Sequence, residues 1–136
     1  MYKFIKERRR QHAITEEDMK EVEEKFEIKF PAALREFYLE HNGDFIRMSC
    51  FSINGEKFTL NDMYYIKIKG EAPVELMLQW QRDDGYISSN LIPFACDCGG
   101  ESYYWSTEDE KVYFIDGMDL ENPIYICENI SEFLNY

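Results

Sequence analysis

Residues 91–115 read LIPFACDCGGESYYWSTEDEKVYFI, and this stretch decides the fold. It contains three short apolar runs, at Leu91–Ala95, Tyr103–Ser106 and Val112–Ile115. A glycine pair separates the first two runs, and a polar turn over residues 107–111 separates the last two. Short runs rich in aromatic and β-branched residues, bounded by turn residues, are typical of β-strands. The stretch therefore predicts the middle of a mostly antiparallel sheet.

The N-terminal third predicts two helices. Thr15 is a good N-cap, and Asp18 three residues later resembles a capping box with Asp in place of Glu. Apolar residues then recur at helical spacing, at Met19, Val22 and Phe26. Pro31 suits the first turn of a second helix, and Gly43 suits the position just after its end.

The middle of the chain predicts a hairpin and a third helix. Asn54-Gly55, with apolar residues on both sides, is a strong short-range hairpin signal. Pro73 could start a helix that Gly85 would end. This helix would carry the apolar residues Val74, Leu76, Met77 and Trp80.

The C-terminal part predicts a last short strand at Ile124–Cys127 and a short closing helix over residues 131–134. With strands in the middle and helices towards the ends, the pattern predicts the α+β class. We expect one domain over residues 1–136, in which two N-terminal helices and a short C-terminal helix pack on a central, mostly antiparallel sheet. Residues 1–13 would form a basic N-terminal segment.

The charge of the chain is strongly negative and unevenly distributed. The net charge is −12 over 136 residues, yet residues 1–12 contain five basic side chains and one acidic side chain. The remaining residues contain 10 basic and 26 acidic side chains. Such an acidic body repels phosphate backbones, so we expect no nucleic acid partner. It favours a basic protein partner, although the charge could also serve solubility alone.

No stretch of the sequence reaches the roughly 18 apolar residues that a membrane span needs. The first ten residues also lack the apolar region and cleavage site of a secretory signal. The four cysteines form no dense disulfide framework and are simplest to interpret as reduced thiols. We therefore expect a cytoplasmic protein with no membrane partner.

The sequence contains no convincing set of nucleophile, base and acid. His12 and His41, the two histidines, are expected to have structural or solvent-exposed roles. Cys96 and Cys98 are one residue apart, which is not the two-residue spacing of a zinc knuckle. Residues 116–121 lack the alternating oxygen ligands of a calcium loop. We predict no catalytic residue, no metal site and no cofactor.

A contact surface is predicted around the aromatic strands. Successive side chains of a strand point to opposite faces, so one aromatic of each neighbouring pair must leave the core side. Those outward aromatics are either covered by other elements or form a partner patch. A solvated rim is the default for the acids at the turns, but as a set they are the best candidates. The predicted contact residues are Asp97, Glu101, Tyr104, Glu108, Asp109, Glu110, Asp116 and Asp119.

The order of motifs resembles the SUKH superfamily, in its Smi/Knr-type branch. The first block runs from Ile14–Asp18 through Phe30-Pro31 to His41-Asn42-Gly43. The second joins Leu91–Ala95 to Asp97, Gly99-Gly100 and Tyr103-Tyr104-Trp105, and the third joins Lys111–Phe114 to Ile130–Leu134. Together the blocks span residues 14–136. The sequence departs from the family pattern where Cys96 and Cys98 flank Asp97, and at Glu101, where an Asp is common.

This resemblance implies a binding function. Bacterial members are typically immunity proteins that bind and neutralise a cognate toxin domain, often a nuclease, whereas fungal members regulate cell-wall synthesis as interaction hubs. The acidity agrees with the first role, because an acidic protein can occupy a basic nuclease cleft as a phosphate mimic. We therefore expect a non-catalytic immunity protein whose partner is a basic toxin domain. The alternative is a regulatory scaffold of the Smi/Knr type, or a binding module unconnected with toxins.

Overall fold

The three apolar runs of residues 91–115 form neighbouring strands, as predicted. The computed structural model describes residues 2–69 and 73–136. In chain order, the described residues form β1 (Ile5–Glu7), a 3-10 turn (Arg10–His12), α1 (Glu16–Phe26), α2 (Ala32–His41), β2 (Phe45–Ile46), β3 (Ser49–Ile53), β4 (Glu56–Leu60), β5 (Asp62–Met63), α3 (Val74–Asp84), β6 (Leu91–Cys96), β7 (Ser102–Ser106), β8 (Val112–Ile115), β9 (Ile124–Cys127) and α4 (Ile130–Leu134).

The central sheet has five strands in the order β5-β6-β7-β8-β9, and every neighbouring pair is antiparallel. Strands β3 and β4 form a separate hairpin, and β1 pairs with β2 in a second two-stranded ribbon. The hairpin turns at Asn54-Gly55, where both residues have positive φ, as this turn type requires. The predicted α+β class with a mostly antiparallel sheet is confirmed.

The first two helices begin and end at the predicted signals. At the start of α1, the Thr15 side chain accepts the backbone N–H of Asp18, and the Asp18 carboxylate accepts the backbone N–H of Thr15. Pro31 is the N-cap of α2, and Gly43 follows its end with a φ of 77°. Asn42, the C-cap, is buried and bonds to the backbone of His12 and Ile66. No helix within the described residues is long and apolar enough to cross a membrane.

Helix α3 forms where predicted. Its buried residues are Val74, Leu78 and Gln81. Leu76 and Trp80 point outward, and Trp80 is 53% exposed. The rotation of the helix follows the fit of all its side chains to the sheet, so not every apolar residue of the helix faces the core. Buried Gln81 donates to the backbone carbonyls of Ser88 in the following loop and Leu91 at the start of β6.

The helices cover one face of the sheet, and a smaller cluster covers the other. Tyr103 and Trp105 of β7 belong to the main core with the helices. Tyr104 points to the opposite face and packs with Leu91 and Ile115 in the smaller cluster. All five residues of β7 are therefore buried. Of the two alternatives for the outward aromatics of this strand, covered core is the one that the structure shows.

The basic N-terminal segment is ordered and docks beside the end of α2. Phe4 is buried, and the ring of Tyr2 packs against Phe37 and His41. The backbone N–H of Arg9 donates to Asp44 Oδ1 at 2.6 Å, and Asp44 Oδ2 lies 2.8 Å from His41 Nδ1. His41 therefore has a structural role, because its buried ring positions the carboxylate that holds this segment.

Candidate protein-binding surface

The predicted acids lie at two opposite ends of the central sheet. Successive hairpin turns of an antiparallel meander alternate between its ends, so the β6–β7 and β8–β9 turns share one end. A hydrogen bond of 2.8 Å from the Gly117 backbone N–H to Glu101 Oε2 joins these two turns. We call this the glycine-turn end, and its predicted acids are Asp97, Glu101, Asp116 and Asp119. The length of β7 separates these acids from Glu108, Asp109 and Glu110, so the predicted set forms two groups.

Acids at the glycine-turn end mostly hold their own turns together. Asp97 Oδ1 accepts the backbone N–H groups of Gly99 at 2.9 Å and Glu101 at 2.8 Å. Asp116 Oδ1 accepts the backbone N–H of Met118, and Asp119 Oδ1 accepts the side-chain amide of Asn122. Carboxylates that are hydrogen-bonded to nearby donors in this way mainly stabilise their turns and are less available to a partner.

The turn between β7 and β8 presents its acids to solvent. Glu108, Asp109 and Glu110 are consecutive and all exposed. Backbone hydrogen bonds between Ser106 and Lys111 and from Glu110 to Ser106 close the turn, and Glu110 adopts a φ of 61°. The turn is thus a well-defined platform with three carboxylates.

The loop after α3 adjoins this turn and adds residues that the sequence analysis missed. Thr107 donates its backbone N–H to the Asn90 carbonyl at 2.8 Å, which joins the two loops. Tyr86 lies on this loop and is 76% exposed. The last two residues of α3, Asp83 and Asp84, are also exposed. We call residues 83–90, the turn 107–111 and Glu128 the acidic-turn end. The sequence signal that could have indicated this part of the surface was an aromatic residue, Tyr86, just after the helix stop at Gly85.

Glu128 belongs to this end because it follows β9 where β9 pairs with the start of β8. Val112 and Cys127 are partners in this ladder, and Lys111 Nζ lies 3.8 Å from Glu128 Oε2. Such an exposed ion pair contributes little stability. Among its own residues the acidic-turn end has one basic side chain, Lys111, and six carboxylates. Arg82 precedes Asp83, and its guanidinium donates to the Phe26 carbonyl.

Tyrosines on the outer face of the sheet have different exposures. Tyr104 is 6% exposed, which leaves it little surface for a partner. Tyr113 is half-buried and meets Tyr125 edge to face at 6.2 Å between ring centroids. Burial, followed by the nearby Asp109 carboxylate, raises the pKa of Tyr113. Tyr125 is 43% exposed and offers the aromatic surface that was predicted for Tyr104.

A cleft of about 210 Å³ opens on the outer face beside the acidic turn. Its lining combines the apolar groups of Leu91, Tyr113 and Pro123 with the acidic residues Glu108 and Asp109. Such a mixed lining suits a long basic side chain, whose stem is apolar and whose head group is charged.

The described residues contain no group of three or more His, Cys, Asp or Glu side chains arranged to hold a metal ion. All four cysteines are free thiols, and Cys50 and Cys98 are exposed. Burial raises the pKa of Cys96 to about 11 and that of Cys127 to about 12, so both thiols stay protonated at neutral pH.

The fold and this surface define the class of an α+β domain with helices on one face of an antiparallel meander. The model of the SMI1 / KNR4 family (SUKH-1) matches residues 13–136, and the chain belongs to this family. Members of the family are generally non-catalytic. The expected resemblance is confirmed, and the match leaves out most of the basic N-terminal segment. A search of curated proteins found no match.

Proposed function

We propose that this chain is a non-catalytic immunity protein that neutralises a basic toxin domain by binding it. Family membership supports a binding role, and the acidic-turn end supplies a surface for a basic partner. The single observation that carries the proposal is the exposed run Glu108-Asp109-Glu110, on a turn that a backbone hydrogen bond from Thr107 to Asn90 joins to the loop of exposed Tyr86. Carboxylates accelerate the encounter with a basic protein, and tyrosines are favoured anchors in interface cores.

A cognate toxin provides the direct test. We expect a gene for a basic toxin domain immediately upstream of the gene for this chain, and co-purification of its inactive product with the chain. Affinity should fall as salt rises, because salt screens the attraction between exposed charges. Recovery of housekeeping enzymes in a pull-down, with no adjacent toxin gene, would favour the regulatory scaffold instead.

Charge reversal at the acidic turn and at a matched set of acids elsewhere separates a local contact from a general charge effect. The test variant carries Glu108→Lys, Asp109→Lys and Glu110→Lys. The matched control carries Glu7→Lys, Glu17→Lys and Glu36→Lys, which changes the net charge by the same amount at three exposed acids of the N-terminal third.

We expect the test variant to lose at least about a hundredfold in toxin affinity, equivalent to about 3 kcal/mol. The control should lose about tenfold or less, since it keeps the contact and alters only the long-range field. Equal losses in both variants would mean that the acidic-turn end is not the contact surface. Unchanged affinity in both would remove the electrostatic basis of the proposal.

A further inference from the structure

Strand β9 is an open edge of the central sheet. Its strand partner is β8, and within residues 2–69 and 73–136 no other strand pairs with its outer side. The opposite edge, β5, is two residues long and lies beside β2. An open edge presents backbone N–H and C=O groups that can pair with another chain.

The side chains of β9 itself do little to block such pairing. The strand reads Ile-Tyr-Ile-Cys and contains neither Lys nor Pro. Pro123 before it, its length of four residues and the irregular register with β8 limit an added strand to a short one. Ile124 is 37% exposed and Tyr125 is 43% exposed, and neighbouring side chains of a strand lie on opposite faces. An added strand would therefore find apolar surface on both faces of the sheet.

The charge around β9 indicates what kind of strand fits. Glu121 and Glu128 are exposed on either side of the strand. Loss of hydration is the largest cause that raises the pKa of Tyr125 to about 12, and the carboxylates of Glu128 and Glu132 add to it, so two acids lie near its hydroxyl. A second copy of this chain carries the same −12 charge and would be repelled, whereas a basic segment is attracted.

We propose that β9 accepts an extended basic segment of the partner as an additional strand of the central sheet. This inference rests on the proposed function and names the way in which the partner attaches. Backbone hydrogen bonds supply the affinity in such strand addition, and alternate side chains supply the specificity. The basic side chains of the segment would reach the carboxylates that flank β9.

A synthetic peptide of alternating lysine and valine, acetylated and amidated, is the probe. Titration into 15N-labelled full chain should shift the amide resonances of residues 124–128 before others. A peptide of identical sequence with N-methyl groups on alternate residues keeps every charge but cannot donate backbone hydrogen bonds along one edge. We expect it to bind at least about tenfold more weakly, since two or more net hydrogen bonds are lost.

Two variants of the chain provide the matched control. Tyr125→Lys places a positive charge on the edge and should weaken peptide binding about tenfold or more. Met48→Lys adds the same charge at another exposed apolar side chain, away from β9, and should change binding less than about threefold. Both positions are exposed, so both variants should remain folded, as checked by thermal unfolding.

The inference would be overturned if the N-methylated peptide bound as tightly as its parent, or if the shifts lay at residues 107–111 instead of β9. Self-association of the chain through β9 would also overturn it. With a cognate toxin, hydrogen exchange separates the two proposals. Toxin affinity that depends on Glu108–Glu110 without protection of residues 124–127 would leave the proposed function standing and end the strand-addition inference.

Discussion

The two ends of the central sheet use the same residue types for different purposes. At the glycine-turn end, Asp97 and Asp116 accept backbone N–H groups, and Glu101 connects two turns. At the acidic-turn end, three consecutive carboxylates are exposed on a turn closed mainly by backbone hydrogen bonds. Asp109 also accepts one backbone N–H, from Lys111. The comparison therefore teaches that acidic residues near a strand differ as candidate contacts according to how far the chain itself already engages their carboxylates.

The largest effect on stability should come from the strand that joins both ends. Trp105 of β7 is 1% exposed in the main core, and Trp105→Ala should cost about 3–5 kcal/mol of unfolding free energy. Trp80 is 53% exposed, so Trp80→Ala should cost less than about 0.5 kcal/mol. Denaturant unfolding measures both variants, and similar losses would contradict the different environments of the two tryptophans.

A smaller effect should distinguish a turn-forming carboxylate from a presented one. Asp97→Ala removes an oxygen that accepts two backbone N–H groups and should cost about 2–3 kcal/mol. Asp109→Ala removes one such bond, to Lys111, from an exposed turn and should cost about 1 kcal/mol or less. Thermal unfolding of the two variants measures the contrast. If Asp109→Ala were the more damaging change, the division of roles between the two ends would be wrong.

The backbones of the two turns should respond in opposite directions to exchange of a side chain. Gly100 has a φ of 86°, so Gly100→Ala should destabilise the fold by about 1–2 kcal/mol. Glu110 has a φ of 61°, so Glu110→Gly relieves a comparable backbone strain of about 1–2 kcal/mol. The greater flexibility of glycine in the unfolded chain offsets about 0.5–1 kcal/mol of this gain. We expect a net gain of about 0.5 kcal/mol in chemical denaturation. Destabilisation by both changes would contradict the strain assigned to Glu110.

Two carboxylates outside the compared turns, Asp18 on α1 and Asp62 on β5, should give the smallest effects, with opposite signs. The backbone N–H of Thr15 lowers the pKa of Asp18, so Asp18 contributes stability above the ordinary Asp pKa of about 3.9 and loses it as the pH falls through its lowered value. Burial raises the pKa of Asp62, so its contribution is present below about 3.9 and is lost as the pH rises through its raised value.

Neutral variants at these two positions provide the measurement. At pH 7, Asp18→Asn should destabilise the protein and Asp62→Asn should stabilise it, because the first loses a favoured charge and the second an unfavoured one. For each variant, the difference in free energy of unfolding from the parent chain should shrink as the pH is lowered from neutral to acidic values. A change in the free energy of unfolding with the same sign in both variants at pH 7 would contradict the environment assigned to at least one of the two carboxylates.

Much of the fold could be predicted because its signals are local. The capping box of Thr15 and Asp18, the Gly43 stop and the Asn54-Gly55 turn each depend on residues within a few positions of one another. Short aromatic and β-branched runs bounded by turn residues in residues 91–115 predicted strands on the same basis. The very short strands β1, β2 and β5 carry no such pattern and were not predicted, since they form only against distant partners.

The candidate site was predicted less completely. The acids of the β7–β8 turn were named as contact residues and are exposed, but Tyr104 was named and is buried. Asp83, Asp84 and Tyr86 were not named, because the loop after α3 meets this turn through contacts between residues well separated in sequence. Whether the named residues bind a partner remains a prediction, and the charge-reversal pair is its test.

Periodicity, capping and turn chemistry in the chain were thus sufficient for the α+β class and for most element positions, because each acts over a few residues. Other properties came only with the assembled fold: the split of the acids between two ends, the outward orientation of Trp80, the docking of the N-terminal segment on Asp44 and the open edge at β9. These depend on how distant segments pack together, and packing selects among faces and edges that the local pattern leaves equivalent.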